Sequence, residues 1–82
     1  MRDPSPELRS LARVLKRQRR ALDLTQEALA DASGVSAKHI GEIERGNKDP
    51  RFTTVMRLVS DGLGTPAEEF FSEVEDGRGE PR

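Results

Sequence analysis

Apolar residues recur at helical spacing in five separate stretches of this chain, each bounded by residues that start or stop helices. Leu8, Leu11, Leu15 and Leu22 make the first stripe, interrupted by Gln18 and flanked by Arg and Lys. Ser5 as N-cap, Pro6 at the first position and Glu7 at the positive end of the dipole predict a helix over about Pro6–Leu22. Asp23-Leu24 is a connector, and Thr25 caps a second helix that opens with Gln26 and Glu27. Leu29 and Ala30 face inward there, Ala28 and Ala32 permit close approach, and Gly34 ends the helix with positive φ. Val35 plugs the turn, and Ser36 caps a third helix over Ala37–Arg45 that stops at Gly46. Its inward residues are Ile40 and Ile43; Ala37, Lys38, Gly41, Glu42 and Arg45 face outward. Gly41 costs helix stability, so a close approach by another backbone or by a ligand is expected there.

A polar loop, Asn47 to Arg51, leads into a fourth helix over about Thr53–Asp61 that buries Val55, Leu58 and Val59, with Met56 on its flank. Gly62 and Gly64 end it around Leu63. Thr65-Pro66-Ala67-Glu68 combines an N-cap, a first-position proline and a capping-box acid, predicting a fifth helix over roughly Pro66–Val74. Phe70 and Phe71 are neighbours on it and cannot both face one core; one closes the core and the other is left for a partner surface. The expected organisation is a flexible start at 1–5, one all-α domain at 6–75 and a disordered polar tail from Asp76 to Arg82.

Composition narrows the class. The chain has 82 residues, 33% hydrophobic, with three phenylalanines as its only aromatics, so the core is aliphatic and small. No cysteine is present, which removes disulfides and thiolate metal sites; His39 is the one histidine, too few for a metal centre. Without Cys or Tyr, and with no carboxylate pair in a plausible pocket, no catalytic residue is assigned, and neither is a cofactor or a small-molecule ligand. No apolar run reaches membrane-spanning length and the N-terminus lacks a signal-peptide core, so a cytoplasmic protein is expected. The net charge of -1 conceals a gradient: residues 1–26 carry +4, residues 27–60 balance, and residues 61–82 carry −5. Such a chain can turn a basic face to phosphate and its acidic end away.

The short turn between the second and third helices makes them cross steeply, the layout of a helix-turn-helix whose second helix enters the DNA major groove. Leu24-Thr25-Gln26-Glu27, Leu29-Ala30, Gly34-Val35-Ser36, Ile40, Ile43-Glu44-Arg45-Gly46 and Pro50 stand at the spacing of one family. In these residues the chain resembles the XRE (Cro/repressor, phage lambda-repressor-like) helix-turn-helix family over about residues 8–71, and is similar to small restriction–modification controller proteins. Phage repressors and antitoxin-like regulators share the same order of helices. Three positions depart from the pattern. Leu63 lies one residue farther from Pro50 than is common, which calls for a bulge in helix four or a longer loop. Arg51 stands where a capping Ser or Thr is usual, and Gln18 replaces an apolar residue.

The resemblance implies a compact five-helix bundle, double-stranded DNA as partner, and a homodimer on a palindromic operator, with the protein held on the nucleoid by DNA binding. By position, Gln26 and Ser36 match phosphate contacts, and Ala37, Lys38 and Glu42 match base-approaching positions on the third helix. Arg19 and Glu44 match a partly buried ion pair. A lysine can donate to guanine, a carboxylate accepts from cytosine N4, and the alanine methyl suits thymine; Glu42 could instead pair with Lys38. His39, on the flank, approaches a phosphate or packs inertly, and Arg45 and Lys48 line the backbone. The dimer surface is expected on helix five at Phe70 or Phe71. The competing reading is a protein-interaction module that keeps the fold without DNA binding, its acidic third as the working surface.

Overall fold

Three helices begin on a side-chain oxygen, as the sequence predicts. Ser5 Oγ accepts from the Leu8 N–H at 3.1 Å, Thr25 Oγ1 from Ala28 N–H at 2.9 Å and Ser36 Oγ from His39 N–H at 3.1 Å. In the computed structural model, which describes residues 5–79, these caps open α1 (Pro6–Ala21), α2 (Gln26–Ser33) and α3 (Ala37–Glu44). A short α4 (Phe52–Met56) runs straight into a π-helix (Arg57–Leu63), and α5 (Ala67–Gly77) follows. No strand occurs among the described residues, so the expected all-α, five-helix fold is the one found. The expected looseness of residues 1–4 and 80–82 lies outside the described residues.

The fifth start differs from expectation. Thr65 does not cap α5; its hydroxyl donates to Gln18 Oε1 at 2.9 Å, and the helix begins at Ala67 with Pro66 as its cap and no side-chain cap bond. The half-buried Gln18 amide on α1 needs a donor more than the exposed helix end does, because a buried polar atom left unpaired costs more than one facing water. The same contact explains how a polar residue stands in the α1 stripe. α5 also runs further than expected, through Asp76 to Gly77, where the Arg13 guanidinium donates to the Gly77 carbonyl at 2.8 Å.

The core joins Val14 and Leu15 of α1, Leu29, Val35, Ile40, Ile43, Val55, Leu58, Val59, Leu63 and Phe70. Leu22, expected in the α1 stripe, is 49% exposed, because α1 ends at Ala21 and the chain turns away through Asp23 at φ 62°. Val14 and Ser10 are buried in its place. They face α5, where Ser10 Oγ donates to the Val74 carbonyl at 2.6 Å, while Arg19 reaches Glu44 at the end of α3. A helix wedged between two others buries a wider arc than a single stripe.

Of the two outcomes expected for the spacing before Leu63, the structure has the bulge: Arg57–Leu63 is π-helical. A π-turn closes each hydrogen bond over one more residue than an α-turn, so Leu58, Val59 and Leu63 all reach the core. Gly64, left-handed at φ 70°, ends it by donating to the Val59 carbonyl, and Thr65 N–H bonds the same oxygen at 3.1 Å. The widened segment packs on α2, and Gly62 is where they meet: a Cβ there would lie 2.6 Å from Leu29 Cδ1.

One buried ion pair ties α1 to the end of α3. Arg19 Nε and Nη2 donate to the two Glu44 oxygens at 2.7 and 2.9 Å, and Nη1 donates to the Leu24 carbonyl at 2.7 Å. The side chains are 9% and 3% exposed. Burial alone would raise the Glu44 pKa, but hydrogen bonds from Arg19 and Gln26, with the charges of Arg19 and Lys16, outweigh it and hold the carboxyl below its usual range. The bond to Glu44 outweighs burial at Arg19 as well and raises its pKa.

Two outcomes follow for stability. Because the native Glu44 pKa lies below the unfolded value of about 4.3, its contribution is complete above that value and drains away as pH falls through the native pKa. Glu44→Gln should therefore cost about 3–5 kcal/mol near neutral pH by stranding Arg19, and the gap to wild type in urea denaturation should narrow below pH about 4. Gly62→Ala, despite the better helix propensity of alanine, should lose about 1–3 kcal/mol in the same assay, since Leu29 is fully buried and cannot retreat.

Candidate nucleic-acid interface

α2 and α3 are set by their own ends. Gly34 takes φ 76°, and the buried Ser33 hydroxyl accepts from the Val35 N–H at 3.2 Å, so the turn is bonded internally while Val35 enters the core. Nothing in the apolar pattern marks Ser33; only its place before Gly-Val hints at the role. With Ile40 and Ile43 at 0% and 1% exposure, α3 is anchored along its inner side.

Its outer side carries the expected residues. Lys38 and Arg45 are exposed, and Ala37, His39 and Glu42 are half-buried. Glu42 leans to His39, with Oε1 3.6 Å from Nδ1, rather than to Lys38 one turn before it. Lys48 is exposed in the loop after α3, and Ser36 is exposed with its hydroxyl engaged in the cap. Gly41 was expected to face outward and is buried instead. The Gln26 carboxamide and the Arg45 guanidinium lie across it: a Cβ on Gly41 would meet Arg45 Nη1 at 3.3 Å and Gln26 Oε1 at 3.5 Å. Gln26 Nε2 also donates to Glu44 Oε1 at 3.1 Å, so the first residue of α2 is braced on the last of α3. The close approach that glycine permits comes from side chains of the protein itself.

The expected separation of basic and acidic ends does not occur. α5 lies along α1, and Arg17 forms an ion pair with Glu73 while Arg13 bonds the end of α5. Arg78 pairs with Glu75 and with Glu7 of α1. The acids were expected to turn away because the charge gradient follows sequence; in space the opposite charges attract and α5 folds back on α1. Arg13, Lys16, Arg17 and Arg20 do share one shallow groove on α1, but two of them are engaged with α5.

The phenylalanines resolve into different roles. Phe70 is wholly buried in the core, so it cannot belong to a partner surface. Phe71 is half-buried and meets the Phe70 ring edge-on at 5.7 Å. Phe52, which the sequence reading passed over, is 68% exposed and stacks on Phe71 at 6.5 Å. With Leu11, Pro50, Val55 and Val74 they line an open apolar groove rimmed by Glu7 and Asp49. Among the described residues, no helix is long and apolar enough to cross a membrane, and no cluster of His, Cys, Asp or Glu could hold a metal ion.

A family profile described as a helix-turn-helix domain matches residues 10–71. Among solved structures, a point mutant of the restriction–modification controller protein C.Esp1396I is similar at TM-score 0.83 and 26% identity, over 90% of this chain and 92% of that one. The controller C.AhdI from Aeromonas hydrophila is similar at TM-score 0.73 and 30% identity, over 78% of this chain and 96% of that one. An HTH_3 family transcriptional regulator from Vibrio cholerae aligns at 32% identity and TM-score 0.73 over 79% of this chain, which spans only 36% of that longer protein. Comparison with curated protein sequences gives no match. The profile, the similar structures and the packed α2 and α3 with their braced ends agree: the chain belongs to the XRE-like helix-turn-helix family of DNA-binding transcription regulators.

Proposed function

We propose that this protein is a sequence-specific regulator that binds double-stranded DNA as a homodimer on a two-fold symmetric operator, in the manner of a small restriction–modification controller. The observation that carries the reading is the outer side of α3. Ala37, Lys38 and Glu42 stand clear of the core on a helix whose inner side is locked. Lys38 suits guanine or a phosphate, Glu42 a cytosine amino group, and Ala37 a thymine methyl. Gln26, Ser36, His39, Arg45 and Lys48 flank these readers and contact phosphates, fixing register without reading sequence. The His39–Glu42 contact orients the carboxylate, which would otherwise be repelled by the DNA backbone.

A single α3 reads only a few base pairs, and a second copy supplies the rest of the site. The apolar groove around Phe52 and Phe71 is the surface best suited to that pairing, since an exposed ring stacked on a half-buried one over an aliphatic floor gains by leaving water. Control then rests on protein concentration and operator spacing, in the nucleoid of the cell. The engagement of Arg13 and Arg17 by α5 favours one competing reading, an interaction module without DNA binding, and a failure to retain any duplex at low salt would decide for it.

Selection from random duplexes should recover a palindrome. Lys38→Ala and Glu42→Ala should each relax one position of it by about 1–3 kcal/mol; an unchanged motif removes these side chains as readers. In sedimentation, Phe52→Ala and Phe71→Ala should shift the protein toward monomer with the fold intact. Phe70→Ala should instead lower stability by about 3–5 kcal/mol, and association undiminished in both surface variants would move the interface elsewhere.

A further inference from the structure

Neither core packing, base reading, phosphate contact nor the ion pair explains the choice of Gly41 in α3. It is buried, yet what covers it is two polar side chains that reach over from either side. The Gln26 carboxamide and the Arg45 guanidinium both come within 3.6 Å of the point where a Cβ would stand. Gln26 is held there by Glu44, which takes one of its two amide hydrogens and is itself fixed by Arg19. Among the described residues no carboxylate pairs with Arg45, and the residue is exposed. A neutral donor of set orientation and an unneutralised cation therefore lie side by side over bare backbone.

We infer that Gly41 is a positioning residue: its missing side chain leaves a notch in α3 that seats Gln26 and Arg45 together, and the pair closes on a single DNA phosphate. The inference rests on the DNA-binding reading and adds to it a residue that touches no DNA. The remaining amide hydrogen and the guanidinium fork supply donors of the kind that phosphate oxygens accept, one of them charge-assisted. Glu44 acts through Gln26, by aiming the amide rather than by meeting the anion. A methyl group at position 41 would push the guanidinium outward and part the two donors. The helix itself would gain, because alanine is the better helix former.

That opposition gives the test. A random-sequence duplex serves as probe, since phosphate contacts are independent of sequence. Gly41→Ala should keep or raise the thermal midpoint, bind the duplex about tenfold more weakly, and lose about one unit from the slope of log K against log salt. In a chain already carrying Gln26→Ala and Arg45→Ala, the Gly41→Ala change should weaken binding no further. Native affinity and slope in Gly41→Ala would overturn the notch, as would a loss that persists in the doubly substituted background. Should Gly41→Ala melt early, the cycle of Gln26→Ala with Arg45→Ala decides: one shared phosphate requires the double variant to lose less than the two singles combined, and strict additivity overturns the inference. No duplex binding by the unsubstituted chain would overturn the DNA-binding reading and this inference with it.

Discussion

Once the Arg19 guanidinium is buried against Glu44, much of the surrounding geometry has little freedom left. A charged fork out of water must have its donors answered, and it answers them with both Glu44 oxygens and the Leu24 carbonyl. Those acceptors belong to the end of α3 and the connector before α2, so one side chain of α1 fixes how the other two helices meet. Compared with an apolar cluster, such a pair adds little net stability, but it tolerates only one arrangement. Precision of that kind matters more to a surface that must match a rigid ligand than an extra margin of stability does.

The same pair reaches the outer surface through Gln26. Its amide is braced on Glu44, so the side chain that opens α2 is oriented by a charge buried behind it. Glu44 thus links the interior to the face of the unit, and the depressed carboxyl pKa records how strongly its ionised form is favoured. α5 contributes from the opposite side of α1. By pairing Glu73 with Arg17 it lowers the net positive charge that α1 presents, while Lys38, Arg45 and Lys48, on α3 and just after it, are exposed. Fewer uncommitted cations mean a weaker long-range attraction to polyanions.

Much of this was legible in the order of residues, and the misses share a cause. Ser5, Thr25 and Ser36 were readable as caps because a cap is a local bargain between a hydroxyl and an N–H three residues on. Thr65 has the same local credentials, yet it bonds Gln18, 47 positions earlier in the chain. Leu22 fits the stripe by spacing and is stranded by a turn at Asp23 that no glycine announces. Phe52 stands just ahead of the expected helix with no signal in its neighbours, and its role appears only in the stacking on Phe71. Gly41 was marked as unusual by helix propensity, but what filled the space over it depended on a side chain from α2. The charge gradient was read correctly along the chain and wrongly in space. Apart from Leu22, which a turn at its own neighbour strands, the deciding contacts join residues far apart in sequence.

The π-helix has a meaning for how this chain is compared with its relatives. Loops are where length differences between homologues are usually sought, and a gap placed in the Asn47–Arg51 loop or before Thr65 would look natural. Here the added width of a π-turn sits within Arg57–Leu63, in the second half of a continuous helix. An alignment that moves it into a neighbouring loop shifts Val59 or Leu63 out of register and pairs core residues with surface ones. Any ancestry or interface inferred downstream of Pro50 depends on placing that gap inside the turn that is one residue too wide.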